Sequence, residues 1–355
     1  MNSIWTESVE MPHFESLEGN VKTDVLIIGG GITGLLCAYF LHQQGVDYLL
    51  AEGRTICSGV TKNTTAKITA QHGLIYADLL KKVGLNIYEH TFVTKLSENT
   101  ALTEKARITF QRIIFATHFP IDNKHGLYFL KMYQHRSYVI ALMNAAPVKE
   151  MYVDEDKKGM SFRNYGELLL VGGGSHRTGK CGGDWQELRE YAQKHYPQAE
   201  ERYYWAAQDC MPLDNVPYIG LYSKTMSQCY VATGYHKWGM TSAMAAAMIL
   251  TDQIMGKENP YKEVFCPSRS MWKPQLFVNG TEAMVNLLTP TTKRCPHLGC
   301  ALKWNAAERS WDCPCHGSRF DEDGGLIDNP ANGDWDQICT KITKCILNLH
   351  RKVVK

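Results

Sequence analysis

The chain has 355 residues, 44% of them hydrophobic, and its 38 basic and 36 acidic side chains leave a formal net charge of +2. This length is sufficient for about two domains with apolar cores, and the nearly neutral balance argues against a nucleic-acid-binding surface. Its 12 cysteines are too few for a small disulfide scaffold, so clustered cysteines are first interpreted as metal or redox ligands.

The first twenty residues are polar and acidic, without a basic start followed by an apolar core, so we expect no signal peptide. Residues 25–41 form the longest apolar run, but glycines interrupt it, and we expect no membrane span. These features favour a cytoplasmic protein.

Residues 24–52 predict a βαβ unit, with DVLIIG as a buried strand, GGGITG opening a helix, and VDYLLAE as a second strand. Gly29, Gly31 and Gly34 match G-x-G-x-x-G. The first glycine permits a tight turn, the second admits a pyrophosphate, and the third lets the helix pack on the strand. Glu52 stands where an acid binds the adenosine ribose. The pattern predicts a dinucleotide site without choosing between FAD and NAD.

Further apolar runs predict strands at residues 112–118, 137–142, 168–174 and 229–234. The last is followed by a helical pattern that starts at Gly239-Met240-Thr241, a second helix N-terminus suited to an anionic group. Residues 257–270 are rich in turn formers and predict a domain boundary.

Two short loops, RCPHLGC (294–300) and WDCPCHGSRF (311–320), concentrate cysteine and histidine. One Cys and one His from each loop supply two thiolates and two imidazoles, the ligand set of a Rieske [2Fe–2S] centre. A Cys₂His₂ zinc site is the alternative, and the flanking glycines favour iron–sulfur. The candidate ligands are Cys295, His297, Cys313 and His316. Cys300 and Cys315 remain, one in each loop, and could form a disulfide.

CPHLGC and CPCHGSRFDEDG resemble the two cluster loops of Rieske proteins, in the subtype with a disulfide between the loops. GVTKNTTAKITAQHGLIY, LLVGGGSHRTGK and YVATGYHKWGMTSAMAAAMIL are similar to D-amino-acid-oxidase-type FAD-dependent oxidoreductases, especially bacterial members with a C-terminal Rieske domain. The resemblance implies FAD as the dinucleotide. It also implies an α/β Rossmann-like FAD-binding domain over residues 1–265, followed by a small all-β Rieske domain over residues 266–355.

The resemblance further implies roles for single residues. Those that would hold the ADP half of FAD are Gly29, Gly31, Gly34 and Glu52. Those expected beside the flavin ring or phosphates are Thr65, Ala66 and Lys67. The remaining cofactor contacts are Val93 in a strand that meets the adenine, Thr117 and His118 after the strand that closes the site, and Gly239, Met240 and Thr241 near the pyrimidine edge of the flavin. The candidate catalytic residues of the substrate pocket are His176, Arg177, Lys237 and Trp238.

Both domains are shorter than the family pattern. After AQHGLIYADLLKKV the family has a long substrate-covering stretch, whereas this chain continues almost directly to GLNIYEHT. Only residues 284–294 precede the first cluster loop, where Rieske domains have several strands. In the tail, Ile338, Ile342 and Ile346 fall on one helical face, which predicts an amphipathic helix packed on the protein or lying on a membrane surface.

The resemblance predicts an oxidoreductase that takes a hydride from a small amine or amino-acid-like substrate. Electrons would pass through FAD and the Rieske cluster to an external acceptor. One alternative is an electron-transfer module without its own substrate. A second is a Rieske oxygenase component, which needs an iron held by two His and a carboxylate, and the sequence shows no convincing spacing for that iron. The expected partners are a small-molecule substrate and an electron acceptor or donor protein.

Overall fold

The computed structural model describes residues 3–7, 12–63, 86–122, 125–154 and 159–335. Three residues expected beside the flavin, Thr65, Ala66 and Lys67, lie outside the described residues, and so does the amphipathic tail predicted at residues 338–349.

Seventeen strands and six α-helices are present in the described residues. The strands are β1 (Gly19–Ile28), β2 (Tyr48–Ala51), β3 (Ile87–Tyr88), β4 (Lys95–Ser97), β5 (Thr100–Leu102), β6 (Ala106–Phe115), β7 (Met132–Met143), β8 (Tyr152–Val153), β9 (Ser161–Tyr165), β10 (Leu168–Arg177), β11 (Glu200–Pro212), β12 (Tyr218–Leu221), β13 (Cys229–Thr233), β14 (Lys303–Asn305), β15 (Ser310–Asp312), β16 (Arg319–Phe320) and β17 (Leu326–Asp328). The helices are α1 (Ile4–Glu7), α2 (Ile32–Gln43), α3 (Tyr128–Lys131), α4 (Trp185–His195), α5 (Gly239–Ile254) and α6 (Pro274–Leu288).

The first sheet is a Rossmann-like sheet in the order β12-β13-β6-β1-β2-β3, with the β4–β5 hairpin beside the first half of β6. Strands β13, β6, β1, β2 and β3 are parallel. Helices α2 and α5 pack together on one face of this sheet and bury a continuous apolar core. Each of these helices begins just after a parallel strand, so both N-termini lie at the carboxyl edge of the sheet, where such folds bind ligands.

The second sheet is antiparallel, in the order β11-β7-β10-β9-β8. Helix α4 packs on one face of it, and its Trp185 donates a hydrogen bond to the carbonyl of Trp205 at 3.0 Å. Asp184 caps this helix by accepting the amide of Gln186 at 2.6 Å, which satisfies one of the unpaired amides of its first turn.

The third sheet, β14-β15-β16-β17, is a small antiparallel sheet near the C-terminus. It confirms the expected all-β cluster region, but helix α6 precedes the first cluster loop where only a short connection was expected. Pro274 occupies the first turn of that helix, where a missing amide proton costs nothing. Hereafter the N-terminal domain means residues 1–265, and the C-terminal module means residues 266–335, the described part of the predicted domain 266–355. We retain this division as a proposal.

Two details of the strand predictions are wrong. Strand β3 ends at Tyr88, because β2 pairs with it only at Leu50 and Ala51, and Val93 therefore lies in an irregular loop. Strand β6 ends at Phe115, so residues 116–118 form a turn beyond the sheet edge. In the described part of the chain, no helix combines the length and apolarity needed to cross a membrane.

Candidate functional site

A cavity of about 1390 Å³ opens at the carboxyl edge of the first sheet. It is larger than the roughly 300–1,000 Å³ pockets of drug-sized ligands, as an extended dinucleotide requires. The N-terminal turns of α2 and α5 both line it. Helix N-termini carry unpaired amides and partial positive charge, so this edge is suited to phosphates and other anionic groups.

The three glycines of the G-x-G-x-x-G motif have different surroundings. Gly29 has φ +108°, and a Cβ there would lie 2.6 Å from the carbonyl oxygen of Ala116, so only glycine fits. A Cβ on Gly34 would collide with the carbonyl oxygen of Gly29. The absence of a side chain at Gly34 therefore lets α2 pack closely against β1. A Cβ on Gly31 would meet only Thr61 Oγ1, at 3.4 Å, among the described residues. Gly31 also lines the cavity, so its missing side chain leaves room for a ligand.

Glu52 directly follows β2 and lies at the cavity wall. Its carboxylate accepts the amide of Gly30 at 2.6 Å and the amide of Arg54 at 2.8 Å. Both oxygens are thereby oriented, and each retains lone pairs for a ligand hydroxyl. The arrangement fits the predicted ribose contact.

The turn that leads into α5 is backbone-strained. His236 and Lys237 have φ values of +50° and +68°, a conformation that is rare outside glycine and concentrated at functional sites. Lys237 Nζ donates to Ser175 Oγ at 3.0 Å. Trp238 is 54% exposed, and both Lys237 and Trp238 line the cavity. Two of the four candidate catalytic residues therefore stand at the ligand site.

His176 and Arg177 do not line the cavity as the described residues define it. The His176 ring stacks on Tyr138, whose hydroxyl lies 3.0 Å from Nε2. Arg177 donates to the carbonyl of Pro314 at 3.2 Å and to Asn279 Oδ1 at 3.0 Å. Arg177 thus connects the N-terminal domain to the C-terminal module.

Strand β7 presents one set of residues to the cavity and another to the C-terminal module, because side chains alternate along a strand. Tyr133, His135 and Ser137 line the cavity. Asp209 on β11 is paired opposite His135 and lines it too. Burial, with Lys237 nearby, lowers the pKa of His135 to about 3, so this imidazole is neutral. Burial raises the pKa of the Asp209 carboxyl. Sequence reasoning missed His135 and Asp209.

The C-terminal module closes one side of the same cavity. Residues 326–329, 331 and 332 line it beside Thr117 and His118. Asn329 Nδ2 donates to the carbonyls of Thr117 and Phe119, at 2.8 and 3.1 Å, which ties this segment to the cavity wall. This contact could not be predicted from local sequence patterns, because Asn329 is more than two hundred residues from Thr117 and Phe119.

The two cluster loops meet as predicted. Cys300 and Cys315 are joined by a disulfide, and these two sulfurs and Cys313 Sγ lie within 4.8 Å of one another. The rings of His297 and His316 are 4.9 Å apart, centroid to centroid. A disulfide removes its two cysteines from metal ligation, so the available donors are two thiols and two imidazoles.

The electronic surroundings of these donors fit a metal cluster. A hydrogen bond from Cys295, together with the amides of His316, Cys315 and Gly317, lowers the pKa of the Cys313 thiol despite its burial. Burial lowers the pKa of His316 to about 3, so its imidazole is neutral, the form that binds metals. His316 Nδ1 is buried without a hydrogen-bond partner among the described residues. An unpaired buried nitrogen is costly unless it has a ligand, and a [2Fe–2S] cluster would supply one.

The chain is similar to known proteins in two separate parts. Residues 24–81 and 74–253 match the family described as FAD dependent oxidoreductase, and residues 273–344 match the Rieske [2Fe-2S] domain. A putative Rieske 2Fe-2S iron-sulfur protein, YhfW of Bacillus subtilis, is 28% identical over 494 aligned positions that cover 95% of this chain and 97% of the relative. That alignment is longer than this chain, so the relative contains segments with no counterpart here, as the shortened pattern predicts.

Two further matches are more limited in what they show. The cytochrome b6-f complex iron-sulfur subunit of Nostoc punctiforme is 54% identical over 37 residues, which are 10% of this chain and 21% of that protein. The crystal structure of L-proline dehydrogenase from P. horikoshii superposes with a TM-score of 0.60 at 15% identity, covering 71% of this chain and 98% of that one. This second likeness shows that the two share a fold.

Proposed function

Because this chain belongs to the FAD dependent oxidoreductase family and carries a Rieske [2Fe-2S] domain, we propose that it oxidises a small amine or amino-acid-like substrate and delivers the electrons to an external acceptor. When bound, FAD would supply a hydride acceptor in this cavity, and a [2Fe–2S] cluster held by the Cys and His ligands would supply single-electron transfer. One observation carries the proposal: the C-terminal module closes the cofactor cavity while both candidate histidine ligands lie against Phe119, next to the cavity wall.

Each proposed cofactor site uses residues from short stretches of chain. We assign Gly29, Gly31, Gly34 and Glu52 to the ADP half of FAD, because they line or shape the α2 end of the cavity. The α5 N-terminus, Gly239 to Thr241, would face anionic charge on the reduced flavin. The proposed cluster ligands are Cys295, His297, Cys313 and His316.

The part of the cavity that we assign to the substrate contains a cation, Lys237, and a neutral imidazole, His135. Lys237 is exposed to the cavity and suited to an anionic group of the substrate, while neutral His135 can accept a hydrogen bond at one ring nitrogen and donate one from the other. Trp238 adds an apolar surface to the cavity lining. We propose that Lys237 and Trp238 bind substrate and that His176 and Arg177 act as positioning residues.

The test uses purified holo-protein under anaerobic conditions. Photoreduction followed by absorbance first establishes the flavin and cluster signals. Amines and amino acids are then screened for bleaching of the oxidised flavin. We expect one class of substrate to bleach it, and Lys237→Met to raise the KM for an anionic member of that class with a smaller change in kcat.

A second candidate function is an electron-transfer module without its own substrate. The observation in its favour is that the aligned relative contains segments with no counterpart in this chain. A flavin that photoreduces normally but is bleached by none of the screened substrates would favour this second function over the first.

A further inference from the structure

Glu308, in the turn between β14 and β15, is a fully buried acid at the junction of the two domains, with a side-chain exposure of 0%. Arg136 of β7 forms a two-point ion pair with it, including Nε to Oε1 at 2.9 Å. Arg319 of β16 donates Nη2 to Oε2 at 2.7 Å, and the Tyr138 hydroxyl donates to Oε1 at 3.2 Å. The Arg136–Glu308–Arg319 triad therefore contains one arginine from each domain.

The buried charges at this contact are compensated, because Arg319 also pairs with Asp312 at 3.0 Å and with Asp328 at 3.1 Å. Burial disfavours the ionised carboxylate, but Arg136 and Arg319 outweigh that effect and lower the pKa of Glu308. The arginines are themselves only 3% and 6% exposed. A buried ion is tolerated only while its partners stay in place, and removal of one partner leaves an uncompensated charge. The interface is therefore stable as a unit.

Close backbone packing extends the interface to the second cluster loop. Gln208 Nε2 donates to the carbonyl of Gly317 at 2.8 Å. A Cβ on Gly317 would collide with the Gln134 side chain, and one on Gly179 would lie 2.7 Å from the backbone nitrogen of Pro314. This loop fits the N-terminal domain without space for one additional methyl group.

The face of the module that carries His316, called the histidine-bearing face, points into this interface. His316 is 2% exposed. Its ring lies 6.4 Å from Phe119 and 6.2 Å from Phe129, centroid to centroid, and it hydrogen-bonds to the backbone of Phe129. The surface through which another protein could contact His316 is thus covered by the same chain.

We propose that the histidine-bearing face of the C-terminal module is an internal docking face, held on the N-terminal domain by the Arg136–Glu308–Arg319 triad, so that an external electron partner cannot reach the cluster through His316. Glu308 is a positioning residue in this account. The inference rests on the proposed function only in taking His316 as a cluster ligand.

The test is chemical labelling of histidine in resting, oxidised holo-protein with diethyl pyrocarbonate, read residue by residue by mass spectrometry. His125, whose side chain is 66% exposed, is the internal reference. We expect His316 to react at least tenfold more slowly than His125 in the unmodified protein. Glu308→Gln removes the charge with little change in shape, and we expect it to raise the His316 rate severalfold while cluster absorbance is retained.

Glu322→Gln is the matched control, because Glu322 pairs with Arg309 on the exposed surface of the same module. It should leave His316 protected. If Glu308→Gln does not fold, Arg136→Gln takes its place, because Arg136 is the triad member that belongs to the N-terminal domain. Labelling of His316 at the His125 rate in the unmodified protein overturns the internal dock. Full protection in both triad variants overturns the role of Glu308. Neither readout needs turnover, so the outcome is independent of whether a substrate is found.

Discussion

The rings of Phe119 and His316 meet edge to face with their centroids 6.4 Å apart, which brings a residue beside the cofactor cavity into contact with a proposed cluster ligand. Phe119 is fully buried, and its carbonyl accepts a hydrogen bond from Asn329 of the C-terminal module at 3.1 Å. The two cofactor sites therefore share one wall, formed by residues 117–119.

Gly31→Val should abolish FAD binding without unfolding the protein. Its Cβ has space in the folded chain, but the side chain would occupy the cavity where the backbone must approach the pyrophosphate. Flavin absorbance per protein, measured with circular dichroism to verify folding, checks this. Gly280→Val, at an open position on α6, is the control and should retain FAD. Full flavin occupancy in Gly31→Val would contradict the assignment.

His297→Cys should lower the reduction potential of the cluster or cause its loss. A thiolate adds negative charge that a neutral imidazole does not, and all-cysteine clusters lie near about −400 mV whereas Rieske centres lie at roughly −150 to +300 mV. Protein-film voltammetry and electron paramagnetic resonance report the change. His125→Cys, on the exposed surface, should leave the cluster signals unaltered. An unchanged spectrum in His297→Cys would show that His297 is no ligand.

Phe320→Tyr should raise the cluster potential, and Ser318→Ala should lower it. Hydrogen bonds to cluster sulfurs stabilise the reduced state, because it carries additional negative charge. The Ser318 hydroxyl bonds to Cys295 Sγ, whereas Phe320 packs without a donor in the apolar core that contains the cluster cysteines. Voltammetry on the three proteins decides the matter, with Phe320→Leu as the control for packing. A potential that stays the same or falls in Phe320→Tyr would refute the hydrogen-bond account.

Replacing Cys300 and Cys315 together with serine should destabilise the C-terminal module. The disulfide closes a segment with a sequence separation of 15, for which the chain-entropy model gives about 3 kcal/mol. We expect the cluster absorbance to be lost at a lower denaturant concentration than in the unmodified protein. Cys181→Ser, at an exposed free cysteine, is the control and should leave the midpoint unchanged. Equal midpoints in all three proteins would mean that the disulfide does not support the cluster loops.

Local patterns accounted for much of the fold. The βαβ unit at residues 24–52 was predictable because a buried strand, a glycine turn and a helix occur in uninterrupted order, and β1, α2 and β2 confirm it. The pairing of Cys300 with Cys315 was implied by the resemblance of the two loops to Rieske proteins, and the structure confirms it. The prediction that Val93 lies in a strand was wrong. Strand β3 ends at Tyr88, because β2 offers only Leu50 and Ala51 for pairing with it.

What the sequence by itself determined are the two cofactor motifs, whose chemistry resides in residues only a few positions apart. The tertiary structure decided how the two motifs face each other. Arg136 and Glu308 are 172 positions apart, and nothing local to either residue selects the other. The polar side chains on both faces of β7 could have indicated that both faces make polar contacts. They could not have indicated which face lines the cavity and which contacts the C-terminal module. That choice depends on the packing of the domains, which buries the triad and the histidine-bearing face together.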